Sequence, residues 1–326
     1  MSCKVVVTDH GFPDLNIEKQ VLADFDVELR EYQCKSPDEV IHAAEHADAI
    51  LTQWAPINAD VVSSLQQCQA IVRYGIGVDN VDLEAAGARG IPVINVPDYA
   101  LDEVADHAMA LMISGARKLP QIRERINRGI WETNPCRPMY SLKGRVLGLA
   151  GFGNIARKVA ARASAFGLQV IAYDPYVPEA SFRSFNVRKT NWDSLLEQSD
   201  IISVHLPLTP DTKHLFRDEA FRRMKKGAFL VNTARGALVN TEDLILHLRS
   251  GHLSGAGLDV LEQEPVSAKS ELLEVSTLVL TSHCAWYTED ALLRLKAFAA
   301  EEIARVFRGE TPKHIANRQY LKNLSP

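Results

Sequence analysis

The stretch Arg145-Val146-Leu147-Gly148-Leu149-Ala150-Gly151-Phe152-Gly153-Asn154-Ile155-Ala156 decides how this chain folds. Residues 145–150 read as a buried strand and 154–166 as a helix. Between them stands Gly151-x-Gly153-x-x-Ala156. Alone, that spacing is weak evidence, but here it follows a strand and opens a helix, the context a dinucleotide cradle requires. Gly151 permits the tight turn, Gly153 lets a pyrophosphate approach the backbone, and Ala156 lets the helix pack closely. The helix N-terminus, from Asn154, favours phosphate charge. Asp174 follows the next predicted strand, about twenty residues beyond the glycines. A carboxylate there accepts hydrogen bonds from ribose hydroxyls and repels a 2′-phosphate. Pro175 and Tyr176 follow it, not an arginine, so NAD(H) is expected over NADP(H). The bland alternative is that Asp174 only starts a turn.

Outward from this loop, strands alternate with helices. Downstream, helices are expected at 193–199, 219–223 and 241–250, and strands at 169–173, 201–205, 228–232, 256–259 and 277–280. Upstream, strands are expected at 4–8, 27–32, 49–52, 70–73 and 93–96, with helices at 37–47 and 58–65. Such alternation predicts parallel sheets covered by helices. A long apolar helical pattern at 104–117 is placed to bridge two domains. The last helix starts near Thr288, a good N-cap with Glu289 and Asp290 in the first turn, and Gly309 is a plausible stop. Leu292, Leu295, Ala299, Ile303 and Val306 share one face. If that face returns to the first domain, both chain ends build it. The expected fold is α/β with two doubly wound parallel sheets: a Rossmann domain at 101–289 and a smaller flavodoxin-like domain from 1–100 and 290–326.

The chain has 326 residues and a net charge of −5, with no Lys/Arg cluster, which disfavours nucleic-acid or membrane-surface partners. Its five cysteines form no Cys-x-x-Cys pair and are odd in number, so reduced thiols are expected, with no disulfide framework and no metal site. The first apolar run is too short for a signal peptide, and no stretch approaches a membrane span. A soluble cytoplasmic protein is the expectation.

Three residues downstream of the glycine loop carry chemistry: Arg235 in Asn232-Thr233-Ala234-Arg235-Gly236, Glu264 in Leu261-Glu262-Gln263-Glu264-Pro265, and His283 in Thr281-Ser282-His283-Cys284-Ala285-Trp286. A cation can hold a carboxylate, an imidazole can move a proton, and an acidic residue can tune that imidazole. Each alone reads as readily as a surface turn, a loop carboxylate or a satisfied polar residue. Their order beside a nucleotide loop gives them weight.

These residues, with 148–156, Tyr173-Asp174-Pro175, His205-Leu206-Pro207-Leu208 and Gly257-Leu258-Asp259-Val260, resemble the D-isomer-specific 2-hydroxyacid dehydrogenases over nearly the whole chain. His283-Cys284-Ala285-Trp286-Tyr287 is most similar to the branch of the C-terminal binding proteins, NADH-dependent corepressors, and their bacterial relatives. The resemblance implies that His283 is the acid/base, that Glu264 pairs with it and raises its pKa, and that Arg235 holds the substrate carboxylate. It implies a cofactor groove of Gly151, Gly153, Asn154, Ile155, Asp174, His205, Leu206, Pro207, Thr233, Ala234, Arg235, His283, Ala285 and Val104, with Asp259 facing the nicotinamide carboxamide. Leu206 and Pro207 read equally as loop packing. A substrate loop, Arg73-Tyr74-Gly75-Ile76-Gly77, would offer backbone N–H groups to a carboxylate, and Arg73 a second cation. Tyr74 and Trp286 would wall the side-chain pocket or pack in the core.

Ser282 stands where the family usually has proline, and Cys284 replaces an aliphatic residue: an oxidisable thiol or a small buried group. The partners implied are a small 2-oxo or 2-hydroxy acid and a second copy, as a homodimer or dimer of dimers, through 104–117 and 121–138. Hinge closure on the cofactor is a further implication. The other reading is a corepressor-like NADH sensor. Ending at Pro326, without a long Pro/Ser-rich tail or a regulatory domain, the chain favours the enzyme.

Overall fold

A computed structural model describes residues 2–132 and 134–321. Thr133, within the expected 121–138 interface segment, and 322–326, at the end of the expected 290–326 segment, lie outside the described residues. The chain forms two compact units, Met1–Ala100 with Tyr287–Pro326, and Leu101–Trp286.

In the first unit, β1 (Cys3–Val7), β2 (Val27–Glu31), β3 (Ala49–Thr52), β4 (Ala70–Arg73) and β5 (Val93–Ile94) pair in parallel in the order β2-β1-β3-β4-β5. This is the flavodoxin-like order. Val5, Val6, Val7 and all of β3 are buried, which explains their unbroken apolar runs. The edge strand β2 exposes Glu28, Arg30 and Glu31, charges that discourage pairing with another sheet. Helix Glu289–Phe307 begins where Thr288 Oγ1 accepts the Ala291 N–H at 3.0 Å. It packs on Asn16–Val21 and β4, burying Leu292, Leu295 and Ile303. Each of these side chains stabilises the unit by about 1.5–3 kcal/mol. The apolar stripe thus joins the chain's last helix to its first sheet.

In the second unit the strands are β6 (Val146–Ala150), β7 (Gln169–Tyr173), β8 (Arg188–Lys189), β9 (Ile201–Val204), β10 (Ala228–Asn232), β11 (Leu253–Leu258) and β12 (Leu278–Leu280). All pair in parallel, in the order β12-β11-β10-β9-β6-β7-β8. Counted from β6, this contains the Rossmann order, with β12 added at one edge. The order reverses between β6 and β9, and ligands of such sheets bind beyond the strand C-termini at that point. Helix Leu101–Ala116 lies within this unit and packs on Asn154–Ala165, where Asp102 pairs with Lys158 and Arg162, and Asp106 with Arg162.

Candidate active site

The glycine loop leaves β6 at the switch point. Gly151 has φ 95°, and a Cβ there would stand 2.5 Å from the His205 carbonyl oxygen at the end of β9. Only glycine allows the two strand ends to approach this closely. At Gly153 a Cβ would meet no atom within 4 Å, so the backbone is open to a close ligand. Asp174, just after β7, both starts a turn and braces the loop: Oδ1 accepts the Tyr176 N–H and Oδ2 the Phe152 N–H, each at 3.0 Å. A carboxylate has about four lone-pair sites, so acceptor capacity remains for ribose hydroxyls. The Thr233 hydroxyl is buried with no hydrogen-bond partner among the described residues. An orphaned buried polar atom beside the strand end suits a bound polar group. The loop, Asp174 and Thr233 therefore fit a dinucleotide. His205 Nε2 lies 2.9 Å from Ser203 Oγ, and desolvation pushes its pKa down to about 4, so the ring is neutral near pH 7.

His283 follows β12, and its Nδ1 lies 2.7 Å from Glu264 Oε2. A carboxylate only accepts, so Nδ1 carries the proton and Nε2 is left for exchange. Glu264 Oε1 accepts the Leu261 N–H at 2.8 Å. Partial burial raises the Glu264 pKa, but the hydrogen bonds from His283 and Leu261 and the His283 charge outweigh it and hold the carboxyl below its ordinary range. Arg235 follows β10, its guanidinium donating to the Ala234 carbonyl at 2.7 Å. The Asn232 side chain fixes that turn, accepting from Ala234 N at 3.0 Å and donating to Arg235 O at 2.8 Å. Next to it, a Cβ on Gly236 would stand 2.0 Å from Leu261 backbone atoms. The loops carrying Arg235 and Glu264 therefore touch at Gly236.

Asp259 is 2 % exposed, and its carboxylate is turned to the backbone of the histidine loop. Oδ1 accepts from Cys284 N at 2.9 Å and Thr281 Oγ1 at 2.6 Å, and Oδ2 from Ala285 N at 2.9 Å. Its carbonyl accepts His283 N at 2.8 Å. Trp286 Nε1 donates to the His283 carbonyl at 3.1 Å. These bonds hold His283 at φ 55°, a left-handed conformation uncommon for a residue with a Cβ.

Among the sequence-predicted residues, Val104 and Ala285 are buried in the second unit, and Asn154 and Ile155 open the helix Asn154–Ala165. Leu206 packs against the core there. The loop Arg73-Tyr74-Gly75-Ile76-Gly77 belongs to the first unit. Tyr74 is 1 % exposed, edge-on to Phe12, with its hydroxyl donating to Glu18 at 3.0 Å, so of its two open roles the structure shows core packing. The Gly75 N–H is a correction: expected to await a carboxylate, it donates to the Arg73 carbonyl at 2.9 Å. Gly75 has φ 144°, and a Cβ there would collide with the folded Arg73 guanidinium. Asp9, whose carboxylate takes Gln53 N at 3.0 Å and Trp54 N at 2.6 Å, and His107 stand in none of the motifs above, and Asn232 and Thr281 stand there without an assigned role. An Asn two residues before Ala234 is a recognisable side-chain turn former. The other positions left no local signal.

A family model described as "D-isomer specific 2-hydroxyacid dehydrogenase, NAD binding domain" matches residues 109–285. A glyoxylate reductase of Korarchaeum cryptofilum is 33% identical over 332 residues, covering 100% of this chain and 99% of that one. A D-3-phosphoglycerate dehydrogenase of Methanocaldococcus jannaschii is 36% identical over 282 residues, 86% of this chain but 53% of that longer protein. A solved D-lactate dehydrogenase of Aquifex aeolicus, in complex with NAD and lactic acid, has a TM-score of 0.86 at 26% identity, covering 99% of each chain.

Proposed function

The chain belongs to the D-isomer specific 2-hydroxyacid dehydrogenase family, and from that premise we propose that it interconverts a D-2-hydroxy acid and its 2-oxo acid with His283 as the acid/base. Its cofactor is NAD, and its general reaction is oxidoreduction between 2-hydroxy and 2-oxo acids. When bound, NADH supplies the hydride for C2. In reduction, His283 Nε2 gives its proton to the carbonyl oxygen as that oxygen gains charge. In oxidation the neutral ring takes the hydroxyl proton back. Glu264 fixes the ring and keeps Nδ1 protonated in both directions. Arg235 holds the substrate carboxylate and draws electron density from the 2-oxo oxygen. The family resemblance adds loop 73–77 of the first unit as a further candidate for binding the substrate.

The observation that carries this reading is the 2.7 Å His283–Glu264 pair, which commits Nδ1 and leaves Nε2 for the substrate. Arg73 favours a substrate with a further polar or anionic group, while Trp286 favours an apolar one. NADH oxidation over glyoxylate, hydroxypyruvate, branched and methylthio 2-oxo acids, with chiral analysis of every product but the achiral one from glyoxylate, tests the proposal. Turnover giving the D product supports it. Tight NADH binding without turnover of any member moves the reading to a corepressor-like NADH sensor. An L product contradicts the stereochemical part. We also infer a homodimer, supported by the exposed Leu119, Ile126, Trp131 and Tyr140 clustered in one stretch. No helix among the described residues is long and apolar enough to cross a membrane.

A further inference from the structure

We propose that His107 is a positioning residue for the proton-transfer loop, acting through Thr281 on Asp259; this rests on the reading of His283 as acid/base. His107 lies on helix Leu101–Ala116 and contributes none of the chemistry assigned above. Its Nε2 is 2.9 Å from Thr281 Oγ1, and Thr281 Oγ1 is 2.6 Å from Asp259 Oδ1. The carboxylate can only accept, so the single hydroxyl proton of Thr281 goes to Asp259. Thr281 must then accept from His107, which fixes a proton on His107 Nε2. The result is a one-way donor chain, His107 to Thr281 to Asp259, and each bond polarises the next.

Asp259 is also the residue that takes the N–H groups of His283, Cys284 and Ala285, so the chain ends on the clamp that holds His283 in its left-handed conformation. Backbone amides engage both Asp259 oxygens, Cys284 N at Oδ1 and Ala285 N at Oδ2, and Thr281, oriented by His107, adds a side-chain bond at Oδ1 that ties this carboxylate to helix Leu101–Ala116. His107, Asp259 and Cys284 also place one nitrogen, oxygen and sulfur atom within 4.8 Å of one another, a spacing a divalent metal could use. The hydrogen bonds argue against that use. The Asp259 oxygens already accept three bonds, and His107 Nε2, protonated, has no lone pair to give.

The test uses the full-length enzyme and the variants Thr281→Val, His107→Phe, His107→Gln and the Thr281→Val/His107→Phe pair. Thr281→Val and His107→Phe should each lower kcat about tenfold or more, with KM for the 2-oxo acid within about twofold, because orientation and not binding is lost. The pair should be no worse than the poorer single variant, since both break one chain. His107→Gln, which keeps a donor of similar reach, should restore most of the rate. Nitrogen-15 NMR of the imidazoles, which needs no turnover, should find His107 protonated at Nε2 and should see that signal move in Thr281→Val. Losses that multiply in the pair, an unprotonated Nε2, or a stoichiometric divalent metal in the purified enzyme that Cys284→Ala removes would each overturn the proposal. If no 2-oxo acid is turned over yet the Nε2 proton responds to Thr281→Val, the functional reading fails while the donor chain stands.

Discussion

His283 is held from both sides, by Glu264 at the ring and by Asp259 at the backbone. Replacing Glu264 with Gln removes the carboxylate that fixes the His283 ring through Nδ1. Reduction of the 2-oxo acid should then lose about tenfold or more in kcat with KM little changed, as steady-state kinetics will record. The Glu264 carboxyl lies below its ordinary range when folded, so the stability it contributes is present above the unfolded carboxylate pKa. It is lost as pH falls through the depressed folded value. Acid titration of thermal stability, wild type against Glu264→Gln, should show the difference between the two shrinking at low pH. Asp174 is braced by two backbone amides, so Asp174→Ala should both loosen the loop and remove the proposed ribose acceptor. We expect NADH affinity to drop on the order of tenfold and the preference over NADPH to narrow, read by fluorescence titration. Arg235, Glu264 and His283 were legible because each sits in a short motif. The clamp at Asp259 was not: its partners at 281, 284 and 285 become neighbours only when β11 and β12 pair.

At the scale of elements, the glycines state most plainly what the packing requires. Gly236 lets the Arg235 turn lie against the Leu261 backbone, and a Cβ there would need both loops to part. Gly236→Ala should cost about 1–3 kcal/mol in denaturant unfolding and separate the cation from the acid/base pair. Loss of activity should exceed any loss of folded fraction. Thr288→Ala removes the cap of the last helix and should cost about 1 kcal/mol, measured the same way. Periodicity placed the central strands well because they are buried on both faces. It started the helix Leu101–Ala116 late, at Val104, because the first turn carries Asp102 and Glu103. That helix stops where Lys118 turns left-handed at φ 49°, and Pro120 opens a second helix, Leu119–Asn127, that buries no side chain and so showed no apolar face. The short helices Asn16–Val21 and Leu83–Ala88 and the polar edge strand β8 were missed for the same reason: few turns and little apolar contrast.

At the scale of the molecule, two doubly wound sheets and the return of the last helix to the first were legible from alternation and one amphipathic stripe. The substrate was not, because the roles proposed for Arg235 and His283 concern only the head shared by every 2-oxo acid. The exposed apolar stretch around Trp131, itself 86 % exposed, is the proposed contact with a second copy. Light scattering should give twice the 36.1 kDa chain for the wild type and a single chain for Trp131→Asp. A wild-type monomer contradicts the dimer. Proton transfer by His283 is read from the rate of NADH oxidation by His283→Gln at saturating 2-oxo acid, with NADH affinity measured alongside. The variant should run about 10²–10⁴-fold below wild type with NADH binding intact; turnover at the wild-type rate would mean that another group moves the proton.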